Sequence, residues 1–532
     1  MDDSAVPGSD YVIVGAGSSG AVIAARLTEN PDTHVTLLEA GGPDKDKFIH
    51  IPAAFAQLFG SEVDWNYFTA DQPELKQRQI FWPRGKTLGG SSSLNAMMWV
   101  RGFAADYEAW AAAAGDQWSY SEAVKWYRRI ENTPWSTDPD HGRGGPMEIS
   151  RQRSPSPLND LCMAAAARLG YQQAPPNVAT PDGFTETVVT QRRGARESTA
   201  DAYLREAMKR PNLTVLTGAH ATRVVFEGTR AVGVEFVEER TTRMVTAKRE
   251  VILSGGAVNS PALLMHSGIG DAEHLRGHGI DVLVDRPDVG SKMLDHLAAG
   301  ITRTTDEPTL YRATKPKSLI NYLARRKGML TSNVAETYGF LQTGLDDSGL
   351  ADIEILFVPA PFLGQGLVAP EEDGITIAAV LLQPRSAGTV RLASADPLAA
   401  PIIDPRYLTD PDGHDRATLA AGVEICAKLF ETAPLSNVVG NRYLRPALDG
   451  NPSLGELVDA AINLDTQTLY HPVGTCRMGT DDDSVVDPDL RVRGVQGLRV
   501  ADASVMPVII RGHTNAPAIM IGEKAAELLA QA

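Results

Sequence analysis

Three cysteines, Cys162, Cys426 and Cys476, are all that a chain of 532 residues contains, and they form no CxxC pair. So sparse and odd a set excludes a disulfide framework and suits reduced thiols in a cytoplasm. No apolar run approaches the eighteen or so residues that span a bilayer; "ITIAAVLL" at 375–382 is about as long as they come. The opening "MDDSAVPGSD" has neither a basic n-region nor an apolar h-region, so no secretory signal is expected and the location expected is cytoplasmic. Basic residues are outnumbered, 50 against 66 acidic, for a formal charge of −16. Such a surface repels phosphate backbones and anionic membranes, and neither nucleic acid nor a bilayer is expected as a partner. There is no HExxH, no cysteine cluster and no GxSxG. The aspartate-rich stretches at 409–415 and 479–489 lack calcium-loop spacing and a terminal glutamate, so they read as solvated turns and no metal is expected.

What is present begins at residue 11. "YVIVGAGSSG" breaks a short apolar strand with Gly15, Gly17 and Gly20, and residues 18–29 read as a helix opening out of the glycines. "HVTLLEA" follows as a second strand ending in Glu39. That is the βαβ context a dinucleotide fingerprint requires. Gly15 permits the tight turn, Gly17 lets backbone approach a pyrophosphate, and Gly20 allows close helix–strand packing. Ser18 and Ser19 offer free N–H groups at the positive end of the helix dipole, and Glu39 accepts from ribose hydroxyls. The fingerprint alone leaves FAD and NAD open.

The length implies two domains. Strand-like runs return at 213–218, 222–228, 231–239 and 249–256, with a hairpin turn at Glu227-Gly228. Another run at 497–507 leads into a last helix that carries Pro517 in its first turn. The middle, from about 296 to 460, has strands and helices but no glycine fingerprint. The organisation expected is a discontinuous dinucleotide-binding domain over 1–155, 200–295 and 461–532, interrupted by a mixed-sheet domain over 156–199 and 296–460. The fold class is α/β with an α+β second domain.

Two further glycine-rich stretches stand out. "RGKTLGGSSSLNAMMWVRG" (84–102) suits a backbone lying flat against a ligand, with Asn95 placed to donate to a ring or sugar oxygen. "GGAVNSPALLMHSGIG" (255–270) runs from a strand end through a helix start to a glycine stop. Together with the fingerprint, "YHPVGTCRMG" (470–479) and "GLRVADASVMP" (497–507), they make the chain similar, over nearly its whole length, to the glucose–methanol–choline (GMC) flavoprotein oxidoreductases. The bacterial choline dehydrogenase and alcohol dehydrogenase branch is the nearest in appearance.

The resemblance implies a Rossmann-like FAD-binding domain with an inserted substrate-binding domain, and it decides for FAD. It implies that Gly89 and Asn95, Ala96, Met97 and Met98 lie along the flavin ring, that Ala221 contacts adenine, and that Asp502 and Ala503 meet the ribityl and pyrophosphate region. Some relatives bond the flavin covalently through a histidine just before the matching asparagine. Leu94 stands there, so FAD is expected to be non-covalent. The implied reaction is oxidation of an alcohol CH–OH group to an aldehyde or ketone, with hydride passing to flavin N5 and His471 as base. A histidine suits that role because its pKa lies near neutrality. Asn515 matches the second active-site position, where an amide stabilises a developing alkoxide. His513 reads as a supporting group. The electron acceptor is oxygen or a quinone or carrier, and a monomer and a homodimer are both open. A choline-type substrate is the alternative, with Glu336 and Tyr338 as candidates to face the quaternary ammonium. An FAD hydroxynitrile lyase is a more distant one.

Overall fold

The computed structural model describes residues 5–531. Its first sheet is built around Ala5–Val14, which runs parallel to Val35–Glu39 on one side and to Thr241–Leu253 on the other. Leu213–Thr217 extends it in parallel beyond Val35–Glu39, and Leu498–Val500 runs parallel to the end of Thr241–Leu253. The start of Thr241–Leu253 pairs antiparallel with Arg230–Glu238, and that strand with His220–Glu227. Val12, Ile13, Val35, Leu37 and Val251 to Leu253 are at most 1% exposed. Burial on both faces explains why these strands read as unbroken apolar runs without alternation.

The chain's two ends meet over this sheet. Helix Asn515–Gln531 lies across helix Gly20–Leu27, and a Cβ on Gly522 would come within 2.8 Å of the Ser19 carbonyl oxygen. Ser19 Oγ donates to the Ala518 carbonyl at 2.7 Å, and Arg26 Nε reaches both Glu523 oxygens at 3.0 Å. The last helix is therefore held against the glycine fingerprint.

The second sheet is antiparallel throughout, in the order Val439–Arg445, Leu297–Thr305, Gly374–Leu381, Ile353–Val358, Thr337–Leu341, Gly183–Glu186. Gln467–Thr468 adds to Leu297–Thr305, past residue 460. Ile353, Ile355 and Phe357 face a core shared with helices Leu158–Arg168, His414–Glu431 and Leu454–Asp465. Alternate residues on the opposite face, including Ala298, Leu356 and Val358, turn towards the first sheet and close a cavity against it. The class is mixed α/β with a parallel-centred sheet and a separate antiparallel one.

Candidate active site

The cavity has a volume of about 660 Å³ and runs from the glycine fingerprint to the face of the second sheet. At the fingerprint, Gly15 adopts φ +98°, and a Cβ there would lie 2.4 Å from the Ser254 carbonyl oxygen. A Cβ on Gly20 would lie 1.9 Å from the Gly15 carbonyl oxygen, so this glycine serves helix packing and does not line the cavity. Gly17 differs from both. A Cβ there meets nothing nearer than Gly90 Cα at 3.9 Å, so the missing side chain opens onto the cavity. Ser18, Ser19 and Ala221 also line it.

Glu39 lies at the rim of the same end. Its Oε2 accepts from Ala16 N–H at 2.9 Å and its Oε1 from Gly41 N–H at 2.8 Å. Burial pushes its pKa up to about 7, against the pull of those two donors and of Lys86. Asp502 is a strut of the same kind. It accepts from Gly256 N–H at 2.8 Å, Ser260 Oγ at 2.6 Å and Ser504 N–H at 2.8 Å, fixing the start of helix Gly256–His266. Asp502 and Ala503 both line the cavity. Trp65 stacks on Tyr67 at 5.7 Å and takes the edge of His220 at 5.3 Å, which gives this end an aromatic wall.

The 84–102 stretch forms the next wall. Asn95, Ala96, Met97 and Met98 face the cavity, whereas Gly89 sits behind it, donating its N–H to the Ala16 carbonyl at 2.8 Å. Gly90 lines the cavity in its place. Asn95 Oδ1 accepts from Met97 N–H at 2.9 Å and from Arg196 Nη1 at 2.8 Å. Arg196 is buried and also holds the Ile49 and Ser92 carbonyls, and burial pushes its pKa down to about 9. Met97 is held at φ +57°, a conformation that costs of order 1–3 kcal/mol for a side chain without local compensation. Leu94 is buried against Ile49 and Leu58 and lines the cavity.

Three histidines converge at the far end. His471 follows Tyr470, which is held at φ +69°, and its N–H donates to Asp295 Oδ1 at 2.7 Å. Asp295 also accepts from Thr468 Oγ1 at 2.6 Å and from the Tyr407 hydroxyl. The next residue, His296, is fully buried, with its Nδ1 2.9 Å from His471 Nδ1 and its Nε2 3.0 Å from the Leu382 carbonyl. A carbonyl only accepts, so His296 carries its proton on Nε2. Burial, then the neighbouring His513, pushes its pKa down to about 3, which keeps the ring neutral and its Nδ1 a bare acceptor. The shared hydrogen therefore belongs to His471 Nδ1. His471 Nε2 is left as an unprotonated nitrogen with no hydrogen bond among the described residues, on a ring that lines the cavity. Burial first, then His513, His296 and Arg84, hold the His471 pKa well below its ordinary value. The arrangement makes a neutral base with a defined lone pair.

His513 packs edge-on to His471 at 4.8 Å and commits its Nε2 to Glu354 Oε1 at 3.1 Å. Asn515 begins the last helix, and its Oδ1 accepts from Ser18 Oγ at 2.7 Å. Among the described residues nothing engages its amide nitrogen, so it retains donors for the cavity. Sequence reasoning missed His296, Glu354 and Arg196. The Asp295-His296 pair beginning "DHLAAG" was the only local sign of the first. Glu336 and Tyr338, offered as partners for a quaternary ammonium, do not line the cavity. Glu336 is fully buried and accepts from Ser156 N–H at 2.6 Å, Asn159 Nδ2 at 2.8 Å and Ser332 Oγ at 2.5 Å.

The described residues contain one group of potential metal ligands, Asp44, His50 and Asp201. Arg205 already pairs with Asp201 and lies 3.6 Å from Asp44. No helix among the described residues is long and apolar enough to cross a membrane.

Family models described as GMC oxidoreductase match residues 9–298 and 384–522. An uncharacterised GMC-type oxidoreductase of Mycobacterium tuberculosis is 55% identical over 98% of this chain and 99% of its own length. An alcohol dehydrogenase [acceptor] of Pseudomonas putida is 40% identical over 98% of this chain and 95% of its own. The crystal structure of pyridoxine 4-oxidase from Mesorbium loti matches with a TM-score of 0.89 at 33% identity, covering 99% of this chain and all of that one. Members of the family are FAD-dependent oxidoreductases that act on CH–OH donors. The two family models together match most of its length, and this chain belongs to the GMC oxidoreductase family.

Proposed function

We propose that this protein oxidises the CH–OH group of an uncharged, largely apolar alcohol to the aldehyde or ketone, with His471 as base and non-covalent FAD as cofactor. The observation that carries this reading is the neutral His471, its Nε2 bare, facing a cavity whose far wall is apolar. Phe55, Phe59, Phe362, Val334, Leu356 and Val358 form that wall. The carboxylates that line the cavity are Glu39 and Asp502, both at the glycine end. A quaternary ammonium such as choline would meet no lining carboxylate beside His471; it would have only the ring faces of that wall, and Arg84 and Arg445 line the same cavity, which favours an uncharged substrate over a choline-type one.

The chain's own groups divide the work. The open face of Gly17, the N-terminus of helix Gly20–Leu27 and Glu39 would hold the pyrophosphate and ribose, and the Asn95–Met98 stretch the ring. When bound, FAD would supply the hydride acceptor, with oxygen or a quinone or carrier as the final electron acceptor. His471 Nε2 takes the hydroxyl proton as the C–H bond breaks, and His296 keeps the ring in the tautomer that leaves Nε2 free. The Asn515 amide donates to the oxygen as it gains charge. The apolar far wall, with Phe55, Leu356 and Val358 buried, offers water no hydrogen-bond partner beside the reacting carbon.

Two outcomes follow from this arrangement. Leu94 offers no atom to bond a flavin, so acid precipitation should release the yellow colour into the supernatant; colour retained in the pellet would contradict it. The base must be neutral to act, and its pKa is held well below 6.5. As pH falls, the rate of anaerobic flavin reduction should therefore persist through pH 6.5 and decline only at lower values, where His471 takes up a proton. A histidine inflection at 6.5 or above that disappears in His471→Ala would overturn the assignment of charge state. The substrate class is tested by comparing aliphatic and aromatic primary alcohols with choline in an artificial-acceptor assay. The uncharged alcohols should have the larger kcat/KM, and a preference for choline would refute the reading.

A further inference from the structure

Helix Pro316–Arg325 is built the wrong way round for a helix of a globular core. Its apolar residues fall at i, i+3, i+4 and i+7, as Pro316, Leu319, Ile320 and Leu323, which is the spacing of a stripe that ordinarily packs inward. Here that stripe faces out. Leu319 is 44% exposed, Ile320 66% and Leu323 65%, and Tyr322 is the residue the helix buries.

Cations flank the ridge at both ends. Lys315 and Lys317 lie at its start, and Arg325, Arg326 and Lys327 at its end, all exposed and none in an ion pair among the described residues. Between Glu307 and Glu336 the chain has six Lys or Arg and no acidic residue, in a protein of net charge −16. The net balance, which argued against anionic membranes, conceals this local reversal.

We propose that this helix is an interfacial anchor that seats the protein on an anionic lipid surface. An outward apolar ridge with basic residues at each end places its side chains in the acyl boundary and its cations at the headgroups. A second copy docked face to face would oppose two such basic clusters, and like charges would repel. Leu367 and Val368, 50% and 54% exposed, are a second exposed apolar pair. Their loop is tied to the same region where Leu310 N–H donates to the Pro359 carbonyl and the Tyr311 hydroxyl to the Glu371 carbonyl. The Tyr322 hydroxyl donates to the His50 carbonyl at 3.0 Å, just before Pro52–Leu58, whose Phe55 lines the cavity. The anchor thus lies one layer of protein from the substrate end, where an apolar alcohol or acceptor dissolved in the bilayer would be concentrated.

The test is co-sedimentation of the FAD-loaded protein with vesicles of phosphatidylcholine alone or mixed with phosphatidylglycerol. At low salt the protein should sediment with the mixed vesicles and not with phosphatidylcholine, and added salt should weaken binding. The triple variant Leu319→Ser, Ile320→Ser, Leu323→Ser should bind at least about tenfold more weakly, with unchanged flavin content and melting temperature because those side chains are exposed. Lys315→Glu with Lys317→Glu should weaken it also. Wild-type protein left in the supernatant with mixed vesicles, or undiminished binding by the triple variant, would overturn the proposal. So would a wild-type dimer that the triple variant dissolves, since the face would then belong to a second copy.

Discussion

His471→Ala is expected to carry a full complement of FAD and yet be reduced by alcohol about 10²-fold or more slowly than the wild type, measured by anaerobic stopped flow. The expectation follows from the placement of protons on two imidazole rings. The Leu382 carbonyl fixes the His296 proton on Nε2, His296 Nδ1 then fixes the His471 proton on Nδ1, and only His471 Nε2 can accept another. Asn515→Ala should lose less, about 1–3 kcal/mol, because Ser18 Oγ forfeits its acceptor and the cavity a donor. His513→Ala should fall by less than either, since its Nε2 is already committed to Glu354. If His513→Ala were slowest while His471→Ala reduced normally, the base would have to be moved to the start of the last helix.

Gly17→Val should give colourless protein. The added Cβ meets no protein atom nearer than Gly90 Cα at 3.9 Å, so the fold has room for it, and on the proposed placement of the cofactor it puts carbon where the pyrophosphate would lie. The apoprotein should melt at a lower temperature than the loaded wild type, because a ligand that binds only the folded state stabilises it. Gly20→Val is the contrast: its Cβ would strike the Gly15 carbonyl at 1.9 Å, and the expected defect is in folding itself. A yellow, normally loaded Gly17→Val would contradict the placement of the cofactor. Flavin content per folded protein, with circular dichroism as the check on folding, measures both.

Much of the site was readable because its signals are local. The glycines at 15, 17 and 20, the strand ending at Glu39, and the 84–102 stretch each declare a backbone conformation within a few residues. The last helix was readable too, with Asn515 at its first position. What escaped is non-local. His296 reaches His471 across 175 positions of sequence, brought there by strand Leu297–Thr305 and the loop that Asp295 grips. Arg196 reaches Asn95 across 101 positions, and Glu354 reaches His513 across 159. Nothing near Glu336 in the sequence reveals that Ser156, Asn159 and Ser332 enclose its carboxylate. Gly89 illustrates a subtler limit. The motif was found, but which glycine of the Gly89-Gly90 pair faces ligand depends on φ values that the motif does not state. The basic outward ridge at 316–325 vanished into the chain's overall negative charge.

The most direct test of the account is anaerobic mixing of the loaded wild-type protein with a primary alcohol, either unlabelled or deuterated at the carbinol carbon. The account predicts that the oxidised flavin absorbance bleaches, that one equivalent of aldehyde forms, and that deuteration slows the bleaching by a primary isotope effect. Turnover of substrate with the flavin absorbance unchanged, or bleaching indifferent to deuterium while C–H cleavage limits the step, would contradict it.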